Sequence, residues 1–485
     1  MKKLILSAVF FITGAICVFA EESVEKLLTG YFKNNLELHN LLSKVQKQDL
    51  NSQATEISNG INIQLSTGTV MLNFGSENSF SLEPELSLSV PQANNLTFSA
   101  SSDVKIEDGV QKKLSDITFT LGADLYSGAA EKTKITLLES ERSLLEAKRA
   151  LQNGFLSAEK EFYTSLKNLY SLASQIVTQE KNLYEDKLSF EKIRAQGYST
   201  SSTAYRLAQS EVAADEHKVQ VYRHKLERET RIFASKCGAE YSGDALSFLP
   251  QEIPSVEGID VHSFKKENFT KIEKASWEKY INDLKRKADK SFYLRAYAGY
   301  SFDKVLSSYP SDTYYDTINA GLSCSWDNSG LTATAGAYVP VNTDKSPYYT
   351  LSLAINPAQF FLHSIDEKLS MEDEKQENIS LESAETDYVT AVITQASSLE
   401  DILWNKKANE ETYDMYSTLE KDTATYFSKG IITESEYKSA QVNKENYRLQ
   451  ILINNLELII YNNETKLLFT RDGELYDGKE KAHKI

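Results

Sequence analysis

A short motif occurs twice in this chain, each time between a very long helix-forming run and a shorter one. The first copy reads Arg194-Ala195-Gln196-Gly197 and is followed, after ten residues, by Ala208-Gln209; the second reads Phe427-Ser428-Lys429-Gly430 and is followed, after nine, by Ala440-Gln441. A glycine between two such runs ends one helix in the left-handed conformation, and the Ser/Thr cluster behind it starts the next. Each copy therefore predicts the tip of a helical hairpin. The surroundings repeat in the same order: strand-like segments at 60–126 and 292–356, a long run at 128–195 and 358–428, a return run at 199–236 and 432–470. A repeat this long constrains the fold more than any local motif, because one copy can be unable to bury its apolar faces without the other.

The chain divides accordingly. Residues 1–20 are read as a signal peptide, 21–236 as a first repeat (helix, strands 60–126, hairpin 128–236), and 237–262 as a Gly/Pro-containing linker. A second repeat follows at 263–470 (helix, strands 292–356, hairpin 358–470), with a polar tail at 471–485. The leader has Lys2-Lys3, an apolar core from Leu4 to Phe19 and Ala20 before Glu21-Glu22, the pattern of an exported protein. Lipidation at Cys17 is the alternative, against which Ile16 is bulky where a small residue is usual. With Cys17 removed, Cys237 at a helix end and Cys324 in a strand are expected as free thiols. The net charge of −16, with no clustered Lys/Arg stripe, argues against a nucleic-acid partner. No later run reaches the ~18 apolar residues of a transmembrane helix, so a membrane span must be built from strands.

The strand-like segments alternate strictly. Phe80, Leu82, Leu86, Leu88 and Val90 interleave with Ser81, Glu83, Glu85, Ser87 and Ser89; Ile318, Ala320, Leu322, Cys324 and Trp326 interleave with Asn319, Gly321, Ser323 and Ser325. One apolar and one small, polar face result. Half of a soluble sandwich and a membrane barrel both fit that pattern. Segment lengths near the ~9–11 residues of a spanning strand favour the barrel, as do aromatic residues near strand ends (Tyr126, Tyr300, Tyr309, Tyr314, Tyr315, Trp326, Tyr338, Tyr348). Four segments are expected per half: 61–74, 79–90, 94–106 and 115–126, then 292–303, 316–327, 330–340 and 348–356.

The run 128–195 contains no proline and carries Phe155, Phe162, Leu166, Leu169, Ala173, Ile176 and Leu183 at helical spacing, beside a second column of Tyr163, Tyr170, Val177 and Tyr184. Two adjacent columns make a face wide enough for a neighbour on each side, and a helix of this length extends about 100 Å. The run 358–428 is more acidic, with Glu367, Glu372, Asp373, Glu374 and Glu377 close together.

Enzyme signatures are scarce: the six histidines are scattered, and no phosphate-cradling loop, nucleophile elbow or Cys pair at ligand spacing occurs. No catalysis, metal or cofactor is expected. Glu434 and Glu436 follow Gly430 by four and six residues. Repeated around an opening they would form a carboxylate ring; alone they suit a helix N-terminus, where the dipole favours Glu.

On these features the chain resembles the TolC-type outer-membrane efflux family. The tip pattern matches at Gly197/Ala208-Gln209 and at Gly430/Ala440-Gln441, and the family's strand-to-helix junction is half met at Leu125-Tyr126-Ser127-Gly128 and at Asn356-Pro357. Glu436 falls where the family carries an acid at its periplasmic entrance; the second acid expected three residues later is Ser439, and the first copy has Thr203 or Ala204 at the place of Glu436. Four strand segments per half exceed the family's usual two. The resemblance implies an α+β membrane protein, a homotrimer with a shared outer-membrane β-barrel continued by a periplasmic α-helical tunnel. It implies a passive channel, gated by Glu436 and Glu434, that works with an inner-membrane transporter in efflux or type I secretion. A periplasmic adaptor would dock on the tips at Gly197, Tyr198, Gly430, Ile431, Ile432, Ala208, Gln209, Ala440 and Gln441. The alternative is a structural or adhesive outer-membrane protein with a coiled-coil stalk, which the paired return helices disfavour.

Overall fold

The computed structural model describes residues 23–73, 79–107, 110–241, 243–305, 313–326, 330–341 and 346–471. The leader, Cys17, Tyr309 and nearly all of the tail lie outside them. Seven helices of eleven or more residues and eleven strands are labelled among the described residues. They are α1 (Val24–Asn34), α2 (Leu36–Ser58), β1 to β7, α3 (Ala129–Ala195), α4 (Thr203–Cys237), α5 (Thr270–Ala288), β8 to β11, α6 (Ala358–Ser428) and α7 (Glu434–Leu468). Two compact units emerge: one from the chain up to Asn40, Gln152–Lys265 and the chain from Thr390 on, the other from Leu41–Leu151 and Lys266–Val389. No helix among the described residues is long and apolar enough to cross a membrane.

The second unit holds one antiparallel sheet. Its first three sequence segments each break once, into β1 (Asn62–Ser66) and β2 (Val70–Asn73), β3 (Ser79–Leu82) and β4 (Glu85–Val90), and β5 (Leu96–Ser101) and β6 (Val104–Glu107). The second break falls at Pro84, which has no N–H to give a ladder. β7 (Val110–Tyr126) then serves both sets of halves, pairing with β6 near its start and β5 further on. β8 (Phe292–Val305), β9 (Thr313–Trp326), β10 (Leu331–Pro340) and β11 (Tyr348–Ile355) continue the meander, and β7 pairs with β8, so the two halves share one sheet. The sheet is open within the chain, with β1 and β11 at the ends of the main strand path. The seven strands of the first half, where four segments were expected, are those segments broken.

Register turns alternation into two faces. One row across the sheet is Ile63, Leu88, Phe98, Leu121, Ala298, Ala320, Ala337 and Tyr349. The neighbouring row, on the opposite face, is Asn62, Ser89, Thr97, Gly122, Tyr297, Gly321, Gly336 and Thr350. The apolar face is open: Ile63 is 70% exposed, Leu121 50%, Leu351 74%. On the polar face two side chains from β8 lie flat in opposite directions. The Arg295 guanidinium crosses to Asp124 at 3.0 Å and to the Thr97 hydroxyl at 2.9 Å. The Tyr297 ring covers Gly321, where a methyl group would overlap it, and its Oη reaches Gly336.

In the same unit α5 is pinned to α3. Glu273 is 8% exposed and accepts from Arg142, itself 6% exposed, with an Nη2 to Oε2 distance of 2.8 Å, and from Arg149 at 3.0 Å. Arg142 also lies 5.1 Å from the Trp277 ring. Burial alone would raise the Glu273 carboxyl; hydrogen bonds and charge from the two arginines outweigh it and hold the pKa below the ordinary 4.5.

The first unit has an interdigitated helical core. Phe162 and Leu166 of α3 are fully buried against Tyr31 of α1, Phe233 and Leu226 of α4, and Leu456 of α7. The Phe162 ring meets Tyr31 at 5.7 Å and Phe233 at 5.2 Å. The second column is buried as well, at Tyr163 and Tyr170, so the wide face of α3 finds its neighbours inside the chain. The end of the linker is tied to α7: Asn462 accepts from the Ile259 amide and donates to the Glu257 carbonyl, each at 2.8 Å, as a strand partner would. Cys237 and Cys324 are free thiols.

Candidate functional site: the hairpin tips

Both tips lie in the first unit. α3 stops at Ala195, and Gly197 turns the chain at φ 76°, its amide donating to the Arg194 carbonyl at 3.0 Å. α6 stops at Ser428, and Gly430 does the same at φ 70°, with its amide on the Phe427 carbonyl at 2.9 Å. A Cβ at either glycine would meet nothing within 4 Å. The left-handed backbone, not lack of room, therefore calls for glycine.

The caps differ. Ser202 starts α4 by accepting from the Tyr205 amide at 3.3 Å. Thr433 starts α7 in the same way from the Glu436 amide, and the Glu436 carboxylate returns the bond, accepting from the Thr433 amide and hydroxyl at 2.8 Å each. This is a capping box. The Thr433 amide and hydroxyl hold the Glu436 pKa below the ordinary 4.5. Aligned on the caps, Glu436 matches Tyr205 and Glu434 matches Thr203, so the count from glycine, which paired Glu436 with Thr203 or Ala204, is displaced by the longer first loop. Tyr205 packs edge-on against Phe190 at 5.1 Å, and in the other hairpin Phe427 stacks on Tyr437 at 5.5 Å.

The two Ala-Gln pairs fall one residue apart on that alignment, Ala208 six residues after its cap and Ala440 seven after its own. Ala208 and Ala440 are buried, at 5% and 3% exposure, while Gln209 and Gln441 face out. Small residues at these points let the return helix approach its partner closely. Gln441 donates to the Tyr437 hydroxyl at 2.7 Å. Tyr198 and Ile431 are exposed, 49% and 64%, and Ile432 is half-buried.

A contact unforeseen in the sequence ties the hairpins together above the tips. The Lys438 ammonium of α7 sits 3.8 Å from the centroid of Tyr184 on α3, and Glu434 pairs with Lys438 at 3.7 Å. Partial burial and the Glu434 carboxylate raise the Tyr184 hydroxyl above its ordinary 10.0. The first hairpin carries its own acids farther from its tip: burial, with Asp215 and Glu211 nearby, raises the Asp186 carboxyl above the ordinary 3.8, while Lys218 binds Asp215 at 2.8 Å.

Two sequence-family models span this architecture. The TP096X N-terminal domain matches residues 27–253 and the TP096X C-terminal domain residues 254–472, with their boundary in the linker. The chain belongs to the TP096X family. No curated protein matches the sequence. Among solved structures, this TP096X member is similar to the outer-membrane channel OprN, at 12% identity and a TM-score of 0.50 over 92% of this chain and 91% of that one. VceC of Vibrio cholerae is 10% identical, with a TM-score of 0.47 over 92% and 96% of the two chains. CmeC of Campylobacter jejuni is 10% identical, with a TM-score of 0.46 over 94% and 88%. The TP096X member has the TolC-type fold, helix-rich with an antiparallel sheet.

Of the predicted site residues in this TP096X chain, Glu436 is bound back onto its own cap residue Thr433, while Glu434 turns to Lys438 instead; the two tips stay on separate hairpins. Tyr184 and Lys438 escaped sequence reasoning because they are 254 positions apart, 438 less 184. The capping box left a signal, Thr433-x-x-Glu436, that by itself announces a helix start.

Proposed function

We propose that the chain is an outer-membrane channel that passively conducts substrates outward for a tripartite efflux or type I secretion system. Three copies share one closed β-barrel, and the helical hairpins continue it as a tunnel into the periplasm. A periplasmic adaptor docks on the tips at Tyr198, Ile431 and Ile432, around Gly197 and Gly430, with the Ala208-Gln209 and Ala440-Gln441 segments behind them; an inner-membrane transporter stands beyond it. Glu436 and Glu434 line the entrance. No reaction and no cofactor belong to this role.

The apolar row running from β1 to β11 carries the reading. An open apolar face of that extent is a liability in water and a requirement against lipid, where the small, polar face lines a wet bore. The free backbone groups of β1 and β11 also need partners in a membrane, which neighbouring copies supply. OprN, of the same fold, is described as an outer-membrane channel.

Planar-bilayer recording of the purified chain tests the role. Discrete channels are expected, and Lys438→Ala, which releases Tyr184, is expected to raise the open fraction. Glu436→Gln preserves the cap's hydrogen-bonding shape and removes the charge, so a changed cation selectivity places the acid in the conduction path. Silence from folded, inserted protein and from a Lys438→Ala/Tyr184→Ala variant would overturn the reading.

A further inference from the structure

At the helix end of the sheet, the second unit holds a cavity of about 330 Å³ with two unlike walls. One wall is apolar, formed by Leu125 and Tyr126, 58% and 51% exposed and continuous with the open apolar face. The other is basic, formed by Lys134 and Lys290; Asn94 and Ser127 lie in the same lining, with Glu131. The apolar face ends here in aromatic rings: Tyr126 is 5.9 Å from Phe292, and Phe292 is 5.1 Å from Trp326.

The neighbouring bases are engaged with carboxylates. Lys132 binds Asp289 at 2.8 Å, Lys285 binds Glu139 at 2.7 Å, Arg286 binds Glu377 at 2.8 Å, and Arg295 binds Asp124 at 3.0 Å. Lys134 and Lys290 have no carboxylate within ion-pair distance among the described residues. A chain of net charge −16 thus leaves two ammonium groups open in a cavity that an apolar wall borders. Ammonium groups just beyond an aromatic belt sit at the depth of lipid headgroups, where long lysine stems lie along apolar surface and extend their charge to the interface. Basic pockets at that depth bind anionic headgroups.

We infer that Lys134 and Lys290 hold the phosphate of an anionic lipid headgroup, with the lipid's acyl chains lying on Leu125 and the apolar face. The assignment rests on the proposed insertion of the sheet in the outer membrane. It adds a preference for one class of lipid in the leaflet on the helix side.

Trp326 provides a reporter beside the cavity. With Trp277→Phe and Trp404→Phe it becomes the sole tryptophan of the three in the chain. The full chain is reconstituted in mixed phosphatidylcholine and phosphatidylglycerol vesicles in which either lipid carries brominated acyl chains. Brominated phosphatidylglycerol is expected to quench Trp326 more strongly than brominated phosphatidylcholine. Lys134→Ala/Lys290→Ala is expected to bring the two to parity, and Lys134→Arg/Lys290→Arg to keep the preference. Equal quenching in the wild-type background, or a preference that survives the double alanine variant, overturns the headgroup site while leaving the membrane-inserted sheet intact. Absence of quenching by either lipid overturns the membrane reading itself. A preference abolished by excess inorganic phosphate means that the lysines take a soluble phosphate, and the lipid assignment falls.

Discussion

The two hairpins share a plan and differ in what they bury. α3 and α4 have 67 and 35 residues, α6 and α7 have 71 and 35. In the first compact unit α3 sinks Phe162, Leu166, Leu169 and Tyr170 among three other helices, whereas α6 leaves Ile393, Trp404 and Met415 exposed at 61%, 71% and 57%. Duplicating a helical plan does not duplicate burial. α3 lies between α4 and α7 and has a neighbour for each column; α6 carries side chains that have no cover in a single chain, as expected of a surface that the proposed homotrimer encloses.

The sharpest way to break this contrast is a pair of truncations. Phe162→Ala should cost about 3–5 kcal/mol in denaturant unfolding. Trp404→Ala should stay within about 0.5 kcal/mol for the unassembled chain and lower the yield of cross-linked oligomer. Equal losses in both would erase the distinction.

The attachments to α5 follow. Glu273→Gln removes the anion from buried Arg142, which keeps only the more exposed Glu146, and from half-buried Arg149; it should cost about 3 kcal/mol, read from the unfolding midpoint. Glu377→Gln on α6, which faces the more exposed Arg286 of α5, should cost less. Linkage gives a second reading: the Glu273 pKa is lowered, so its contribution is present above the ordinary 4.5 and is lost as pH falls through the folded value.

The caps are smaller levers. Thr433→Ala should cost about 1 kcal/mol and speed amide exchange at the start of α7. Ser202→Ala should cost less, because its cap has no return bond. The tips should also answer acid with opposite signs. Protonating Asp186, whose pKa is raised, removes a charge that is partly shielded from water and repelled by Asp215, and so tightens the first hairpin as pH falls; protonating Glu436, whose pKa is lowered, loosens the second at still lower pH. Hydrogen exchange resolved by hairpin between pH 6 and pH 3, a window on the order of the carboxylate range, would show the divergence.

Local chemistry was legible in the chain and distant pairing was not. Gly197 and Gly430 announced the tips because a left-handed residue is a requirement of one position. Alternation gave the faces because period two needs no partner strand to be visible. The break at Pro84 was equally local, yet the segment 79–90 reads as one strand, since its apolar phase continues through Leu82 and Leu86. The clamp of Asn462 on Glu257 and Ile259, and the seating of Lys438 on Tyr184, join residues whose sequence neighbourhoods say nothing of each other. The sequence leaves Glu436 open between a gate and a helix end, and one chain displays only its capping bonds.

The central claim is that one face of the sheet meets lipid and the other meets water. In a Cys237→Ser/Cys324→Ser background, Thr120→Cys and Leu121→Cys place thiols on opposite faces of β7. The measurement is labelling by a membrane-impermeant maleimide in reconstituted vesicles, with the denatured chain as reference. The account predicts a reactive Cys at 120 and a protected one at 121, with the protection lost when lipid is removed. Equal labelling at both positions in lipid would contradict it.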